Sequence, residues 1–310
     1  MSVEPQKINQ PKTVTPAGLI HLIIVYIVWG STYLAIRIAV REGAGFPPFT
    51  MALMRMVAAA AILLVWARIT GKNLRLGRRE MGVLLFSGLL LWTGGNGLVT
   101  WAEQRAESGI AALVVASLPI WVAIIEAAID RKRPTALLIG SLLAGFAGIG
   151  VLTVPVLQEG LSTDLPSFIA LVFATISWAF GTVLQSRNQI EAAPRVSSAY
   201  QMLGGAIGFV VLVLIFREPL PAPIPEAWLA WGYLVIFGAA LAFTSFVTIL
   251  QTLPTNIVMT YAYVNPVIAV LLGWLILGEA VTVYVVAGSV LVLLGVYGVF
   301  RERYQARKKN

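Results

Sequence analysis

The chain has 310 residues, 58% of them hydrophobic and 12% charged, with a mean hydropathy of +0.85 and a net charge of +8. That much apolar surface exceeds what a water-soluble domain of this length can bury, so the chain reads as an integral membrane protein. Cysteine is absent, which excludes disulfides, thiolate metal sites and cysteine nucleophiles.

Residues 1–16, rich in Pro and polar side chains, predict a disordered tail. Beyond them, apolar runs long enough to cross about 30 Å of hydrocarbon, or roughly 20 residues of helix, occur ten times. They lie near 19–39, 47–69, 80–100, 108–129, 135–155, 165–185, 197–216, 228–248, 256–277 and 280–300. The connections are short, leaving no room for a soluble catalytic domain. The first run lacks a small-residue cleavage site and is expected to stay as a helix, not to be removed as a signal peptide.

In that first run "WGSTYLAIR" sets Trp29, Ser31 and Tyr33 among aliphatic residues, as candidates for a cavity wall or for an aromatic belt. His21, the only histidine, sits at the start of the run as an interfacial residue or a proton relay, and Arg37 near its end is expected to snorkel. In the second run Arg55 lies about eight residues in, roughly 12 Å deep at 1.5 Å per residue and so close to the midplane. A guanidinium there needs a partner: either the carboxylate of a substrate, which its planar fork of donors suits, or helix-end carbonyls in a purely structural role. The third run carries "WTGGNGLVTW" (92–101), whose small residues suit close helix packing while Trp92, Asn96 and Trp101 are candidates for a cavity lining.

Pro119 in the fourth run and Pro266 in the ninth each remove a backbone donor inside an expected helix, freeing a carbonyl one turn earlier and bending the axis. In lipid such a break is tolerated where protein or a water-filled cavity covers it. The two are read as bending points of alternating access or as static kinks. Tyr261, Tyr263 and Asn265 flank the second, and Trp178 in the sixth run and Gln201 in the seventh complete the candidate cavity residues. Glu126, about one turn from the end of the fourth run, is expected to pair with the basic residues 131–133 or to snorkel. Glu279 is expected to sit at the start of the tenth helix, facing its positive dipole end.

The basic residues are unevenly placed. With the N-terminus inside, the inner segments hold Lys7, Lys12, Arg68, Lys72, Arg75, Arg78, Arg79, Arg131, Lys132, Arg133, Arg187, Arg195 and the tail "RERYQARKKN", against Arg41, Arg105 and Arg217 outside. This positive-inside pattern places both termini in the cytoplasm and makes the net charge an orientation and lipid-surface feature, with no nucleic-acid partner expected.

The chain also contains itself twice. A shift of 147 positions lays Gln251 on Gln104, Thr255 on Ser108, Pro266 on Pro119, Thr282 on Thr135 and Gly295 on Gly148. Upstream the offset drifts, with Trp178 opposite Trp29 and Gln201 opposite Arg55. Five runs per half is an odd number, so the second half starts from the other side of the membrane: the junction "KRPT" recurs as "GEAVT", basic inside and acidic outside. The expected fold is all-α, with ten transmembrane helices as two inverted five-helix repeats, 17–156 and 165–300, around a central cavity, followed by a basic tail, 301–310.

Ten spans in two repeats, "WGSTYLAIR" in the first helix, "SWAFGTV" in the sixth, and a Pro-containing helix ending in "LGE" before "AGSVLVLLGVYG" together resemble the drug/metabolite transporter superfamily, EamA type. Within it the chain looks most like YddG-type exporters of aromatic amino acids. The resemblance covers nearly the whole chain and departs at Lys132, opposite Glu279, which argues that the Glu belongs to local structure. It implies a secondary transporter of a bacterial inner membrane that exports amino acids, aromatic or Met/Thr-like, or related metabolites, by alternating access.

From the residues themselves, no G-x-x-x-x-G-K-[ST] phosphate loop occurs, so no ATP-driven mechanism is expected and no cofactor is called for. With no midplane carboxylate evident, facilitated transport is an open reading. One His, no Cys and no H-E-x-x-H argue against an intramembrane enzyme, whereas a carrier for a drug or metabolite of another class, a channel or a lipid flippase stays compatible with the repeat. Oligomeric state is not readable, because Gly-rich faces serve contacts within and between chains alike.

Overall fold

The structure is a computed structural model that describes residues 14–41, 43–106, 108–158, 164–188, 190–277 and 282–309. It is all-α, with ten helices: α1 (Pro16–Val40), α2 (Pro48–Ile69), α3 (Arg78–Ala102), α4 (Ser108–Val115 and Leu118–Asp130), α5 (Ala136–Gln158), α6 (Leu165–Arg187), α7 (Pro194–Phe216), α8 (Pro225–Thr252), α9 (Thr255–Val258 and Tyr261–Leu277) and α10 (Val283–Lys309). Nine described helices are long and apolar enough to cross a membrane. The continuous described part of α9, 17 residues, falls just short of that length. Glu279 and residues 1–13 lie outside the described residues. Residues 301–309, expected as a tail, continue α10 as helix.

Pro marks many of the starts. It stands in the first turn of α1, α2, α6, α7, α8 and the second segment of α4, where the missing N–H would have had no partner anyway. This corrects the reading of Pro119 as a kink inside a continuous helix. The fourth helix ends at Val115 and restarts at Leu118, with Ser117 Oγ donating to Val114 O (2.6 Å) and accepting from Trp121 Nε1 (3.2 Å) across the break. Pro266, by contrast, stays inside its helix.

The helix contacts carry the inverted repeat. The principal pairs are α5–α10 and α2–α7, then α3–α6 with α1–α8, α3–α7 with α2–α8, and α4–α6 with α1–α9. Exchanging each helix with the one five places later maps this set onto itself, as a pseudo-two-fold axis requires. The third helix of each half also carries the same irregularity, a π-helical stretch, at Leu89–Gly97 in α3 and Leu234–Leu241 in α8.

Direction alternates along the bundle and creates two distinct ends. At the end where α1 begins, Arg187 pairs with Asp130 (2.6 Å), the Glu191 amide donates to Glu80 (2.9 Å), and Arg195 reaches Thr70 (2.9 Å) and stacks over Trp66. We call this the near end. At the far end the α7–α8 connection folds over α2, and Glu218 accepts from the amides of Phe49 (3.1 Å) and Thr50 (2.6 Å) and from the Thr50 hydroxyl (2.9 Å). A carboxylate there satisfies donors that the start of α2 would leave unpaired and faces the positive end of the helix dipole. Replacing Glu218 with Ala should lower stability by about 1–2 kcal/mol, the scale of a lost N-cap. A lowered apparent Tm in detergent, with no such change for Glu226→Ala in the first turn of α8, is the expected result.

Candidate functional site

A cavity opens where α1, α2, α3, α4, α6 and α9 converge, with about 670 Å³ of space counting the part open to the surroundings. Its wall is aromatic. Trp29 meets Trp178 edge-on (5.6 Å between ring centres) and Tyr261 (4.9 Å), while Trp92 meets Trp178 (6.1 Å) and Phe243 (4.7 Å). These rings pack in T-shaped or tilted pairs that fix one another's faces and leave a stiff apolar container.

Helical spacing explains who lines it. On α1 the positions Trp29, Tyr33 and Ile36 recur every three or four residues and so share one face, as Trp92, Asn96 and Val99 do on α3. Trp29 donates its indole N–H to Gly238 O (3.0 Å), in the π-helical stretch of α8, which fixes its rotamer against the opposite repeat. Asn265, with its amide nitrogen turned to the two carbonyls facing it, donates to Tyr261 O (3.0 Å) and Tyr26 O (3.2 Å) and ties α9 to α1. The carbonyl that Pro266 leaves without a donor is that of Ala262, one residue farther on, so the Asn265 amide braces the turn before the proline against α1 and does not replace the missing bond. Tyr26 and Thr260 join the same two helices through their hydroxyls.

Arg55 is the charge in this container. It is 2% exposed, its guanidinium lies 5.3 Å from the Trp92 ring centre, and its Nε and Nη1 are buried with no hydrogen-bond partner among the described residues. Asn96 Oδ1 is likewise buried and unpartnered. A guanidinium in an apolar site with unused donors has the chemistry to receive an anionic group, because charge-assisted hydrogen bonds offset its desolvation. Gly238 keeps the space open: a Cβ there would stand 3.0 Å from Arg55 Nη2 and 3.1 Å from Thr32.

The structure thus brings Trp29, Tyr33, Arg55, Trp92, Asn96, Trp178, Tyr261 and Asn265 together on one cavity. Four other candidates lie elsewhere. Ser31, two residues from Trp29 and so on another face of α1, bonds Val28 O and the Tyr233 hydroxyl on α8. Trp101 sits past the lining at the far end of α3, under Arg105. Gln201, the repeat mate of Arg55, is fully buried and donates to Ser87 (2.9 Å) and Gln185 (2.8 Å), holding α3, α6 and α7 together. Tyr263 turns away to donate to Leu142 O (2.9 Å) on α5.

Of the residues outside the candidate set, Thr32 and Thr175 line the cavity, and His21 bonds Ser245 (3.0 Å) on α8. Sequence reasoning missed Glu103 altogether. It follows Val99 by one turn, its amide bonding Val99 O (2.9 Å), and is 7% exposed with both carboxylate oxygens buried and unpartnered among the described residues. Burial pushes its carboxyl up to about 8, partly offset by the Arg37 charge on α1. The spacing Trp92, Asn96, Val99, Glu103 is the available signal, but the third apolar run ends near residue 100, short of Glu103.

A second cavity opens toward the near end between α4, α5, α9 and α10, lined by Pro119, Glu126, Lys132, Arg133, Asn256 and Glu302 among others. Glu302 accepts there from Thr135 (3.3 Å) and Asn256 (3.5 Å). Leu118 faces the first cavity and Pro119 the second, so the restart of α4 is a wall between them.

Comparison with known proteins agrees with this architecture. Residues 16–154 and 165–301 each match the EamA-like transporter family. The chain is 37% identical over 290 residues to YedA of Escherichia coli, described as an uncharacterized inner membrane transporter, covering 89% of this chain and 90% of that one. It is 22% identical over 286 residues to YoaV of Bacillus subtilis, described as an uncharacterized transporter, covering 90% and 95%. A crystal structure that is 20% identical and covers 92% of this chain and 96% of its own superposes with a TM-score of 0.77, which shows a shared fold.

Proposed function

Since this chain belongs to the EamA-like transporter family and is a multi-pass membrane transporter, not an enzyme, we propose that its cargo is an amino acid or a related carboxylate-bearing metabolite, moved by alternating access. The observation that carries this reading is Arg55: a buried guanidinium with unused donors, stacked on Trp92 inside an aromatic container. The guanidinium takes the carboxylate, and the indole and phenol faces take an apolar or aromatic side chain without demanding one shape. This supports the aromatic and Met/Thr-like substrates that the YddG-type resemblance implies.

The basic excess at the near end, holding Arg68, Arg78, Arg131, Arg187 and Arg195, supports placing both termini in the cytoplasm of a bacterial inner membrane, in keeping with the description of YedA as an inner membrane transporter. On that orientation the second cavity lies on the cytoplasmic side of the Leu118–Pro119 wall and the first on its outward side, so export proceeds as that wall and the Tyr26–Thr260 tie part to admit cargo to the first cavity and the far end then opens to release it.

The test is flux of a labelled panel, including Met, Thr and Phe, in liposomes holding the purified protein, with and without unlabelled amino acid on the opposite side. Saturable flux accelerated by trans substrate is the expected result. Linear flux without trans-acceleration would indicate a channel, and a folded protein that moves no amino acid would remove the substrate assignment.

A further inference from the structure

We propose that Glu103 is a proton-binding site of the transport pathway, holding a proton in the conformation seen here and releasing it when the far end of the cavity opens, so that cargo passage is linked to proton movement. This rests on reading the aromatic cavity as the pathway.

The argument starts from register. Val99 and Tyr33 line the cavity on α3 and α1, and Glu103 and Arg37 each follow by four residues, one turn farther toward the far end on the same helix faces. Glu103 therefore stands above the cavity, near enough to Tyr33 and Arg37 to interact with both electrostatically. Both its oxygens are buried without a donor, a situation that strongly favours the neutral acid over the carboxylate. Among the described residues, other charged groups stand on its own and the neighbouring elements. Arg105 is on its own turn, α2 contributes Arg55 deeper in the cavity, and α6 contributes Asp164 at its start.

Arg37 is exposed while Glu103 is buried, so widening the far end admits water to a carboxyl that already has a cation beside it. The proton then leaves Glu103 for water, the Arg37 charge stabilises the carboxylate, and closure with renewed desolvation favours uptake of another proton. Glu103 is not the ammonium site of the same α-amino acid whose carboxylate sits on Arg55. Arg55 lines the cavity, whereas Glu103 lies one turn beyond Val99 and outside that lining, so the two do not bracket one bound molecule.

Two measurements test this, one of them independent of any cargo. Infrared titration of the purified protein in nanodiscs should show a protonated carboxyl band at neutral pH that fades as pH rises and is missing in Glu103→Gln. If wild type and Glu103→Gln give the same spectra, the proton site is not Glu103. In liposomes with labelled Phe, an imposed pH gradient should raise the accumulation ratio of the wild type several-fold. The ratio of Glu103→Gln should not respond, whatever its absolute rate, and Glu103→Asp should recover part of the response. An equal response in Glu103→Gln overturns the coupling. Failure of the whole amino acid panel to move would count against the substrate reading alone, because the infrared result still decides the proton site.

Discussion

Arg55→Ala is expected to lose about ten- to a hundred-fold in the transport of carboxylate-bearing cargo, the equivalent of a charge-assisted hydrogen bond of about 1.5–3 kcal/mol, with folded yield preserved. Most buried arginines cannot be removed so cheaply, because truncation strands a partner charge. Here Nε and Nη1 have no partner among the described residues, and the contact given up is the stacking on Trp92 at 5.3 Å. Removing an uncompensated guanidinium from an apolar site relieves desolvation, which offsets that loss. Arg55→Lys is expected to recover only part of the activity, since an ammonium keeps the charge but not the planar fork. The discriminating measurement is competition between phenylalanine and its carboxamide. Wild type should prefer the acid and Arg55→Ala should treat the two alike. Parallel loss of flux and of monodisperse protein would mean that Arg55 is structural.

The largest stability effect is expected at the α5–α10 contact. A Cβ added to Gly148 would stand 2.7 Å from Val292 N and 2.8 Å from Gly288 O, and one on Gly288 would stand 2.7 Å from Gly148 O. These obstacles are backbone, which cannot rotate aside as a side chain can, so the two helices must separate. Separation is not local. A Cβ on Gly295 would likewise stand 2.6 Å from Gly145 N and 2.7 Å from Ser141 O farther along the same seam, so the helices are in close contact over several turns and one widened crossing forfeits dispersion contacts along them. Gly148→Leu should therefore cost at least the roughly 1–3 kcal/mol typical of overpacking and should remove most of the folded protein in detergent. Gly150→Leu is the control, because a Cβ at Gly150 meets nothing within 4 Å. Similar yields from the two variants would show that the seam is not rigid.

Much of this molecule was legible before any coordinates. In hydrocarbon every backbone polar group must be satisfied within the segment, so long apolar runs leave few choices other than helices, and nearly all the expected spans lie within two or three residues of those observed. The inverted repeat was legible too, because two halves that face opposite sides of a membrane have charge junctions of opposite sign. The 147-residue offset also aligned Gly295 with Gly148, two residues that share one seam across the pseudo-two-fold.

What the residues alone did not decide was which helix face meets which neighbour. Arg55 and Gln201 are equivalent by the repeat, yet one carries unused donors beside the cavity and the other donates its amide to Ser87 and Gln185; a two-fold relation of backbones leaves side chains free to diverge. Tyr263 and Asn265 are two residues apart on one helix and therefore face different partners, Leu142 on α5 and Tyr26 on α1. Pro119 became a helix start because the chain breaks just before it, where proline has no donor to lose, while Pro266 stays inside a helix that Asn265 supports. The π-helical stretches at Leu89–Gly97 and Leu234–Leu241 insert extra residues into their turns and rotate the faces beyond them. Hydrophobic periodicity is nearly silent there, because in lipid both faces of a helix are apolar. The sequence by itself determined the membrane class, the helices and the inverted repeat, all of which follow from the cost of unpaired backbone in hydrocarbon. Only tertiary packing decided that eight of the candidate side chains share one cavity and that Glu103 stands one turn above it, because meeting depends on how each helix is rotated about its own axis.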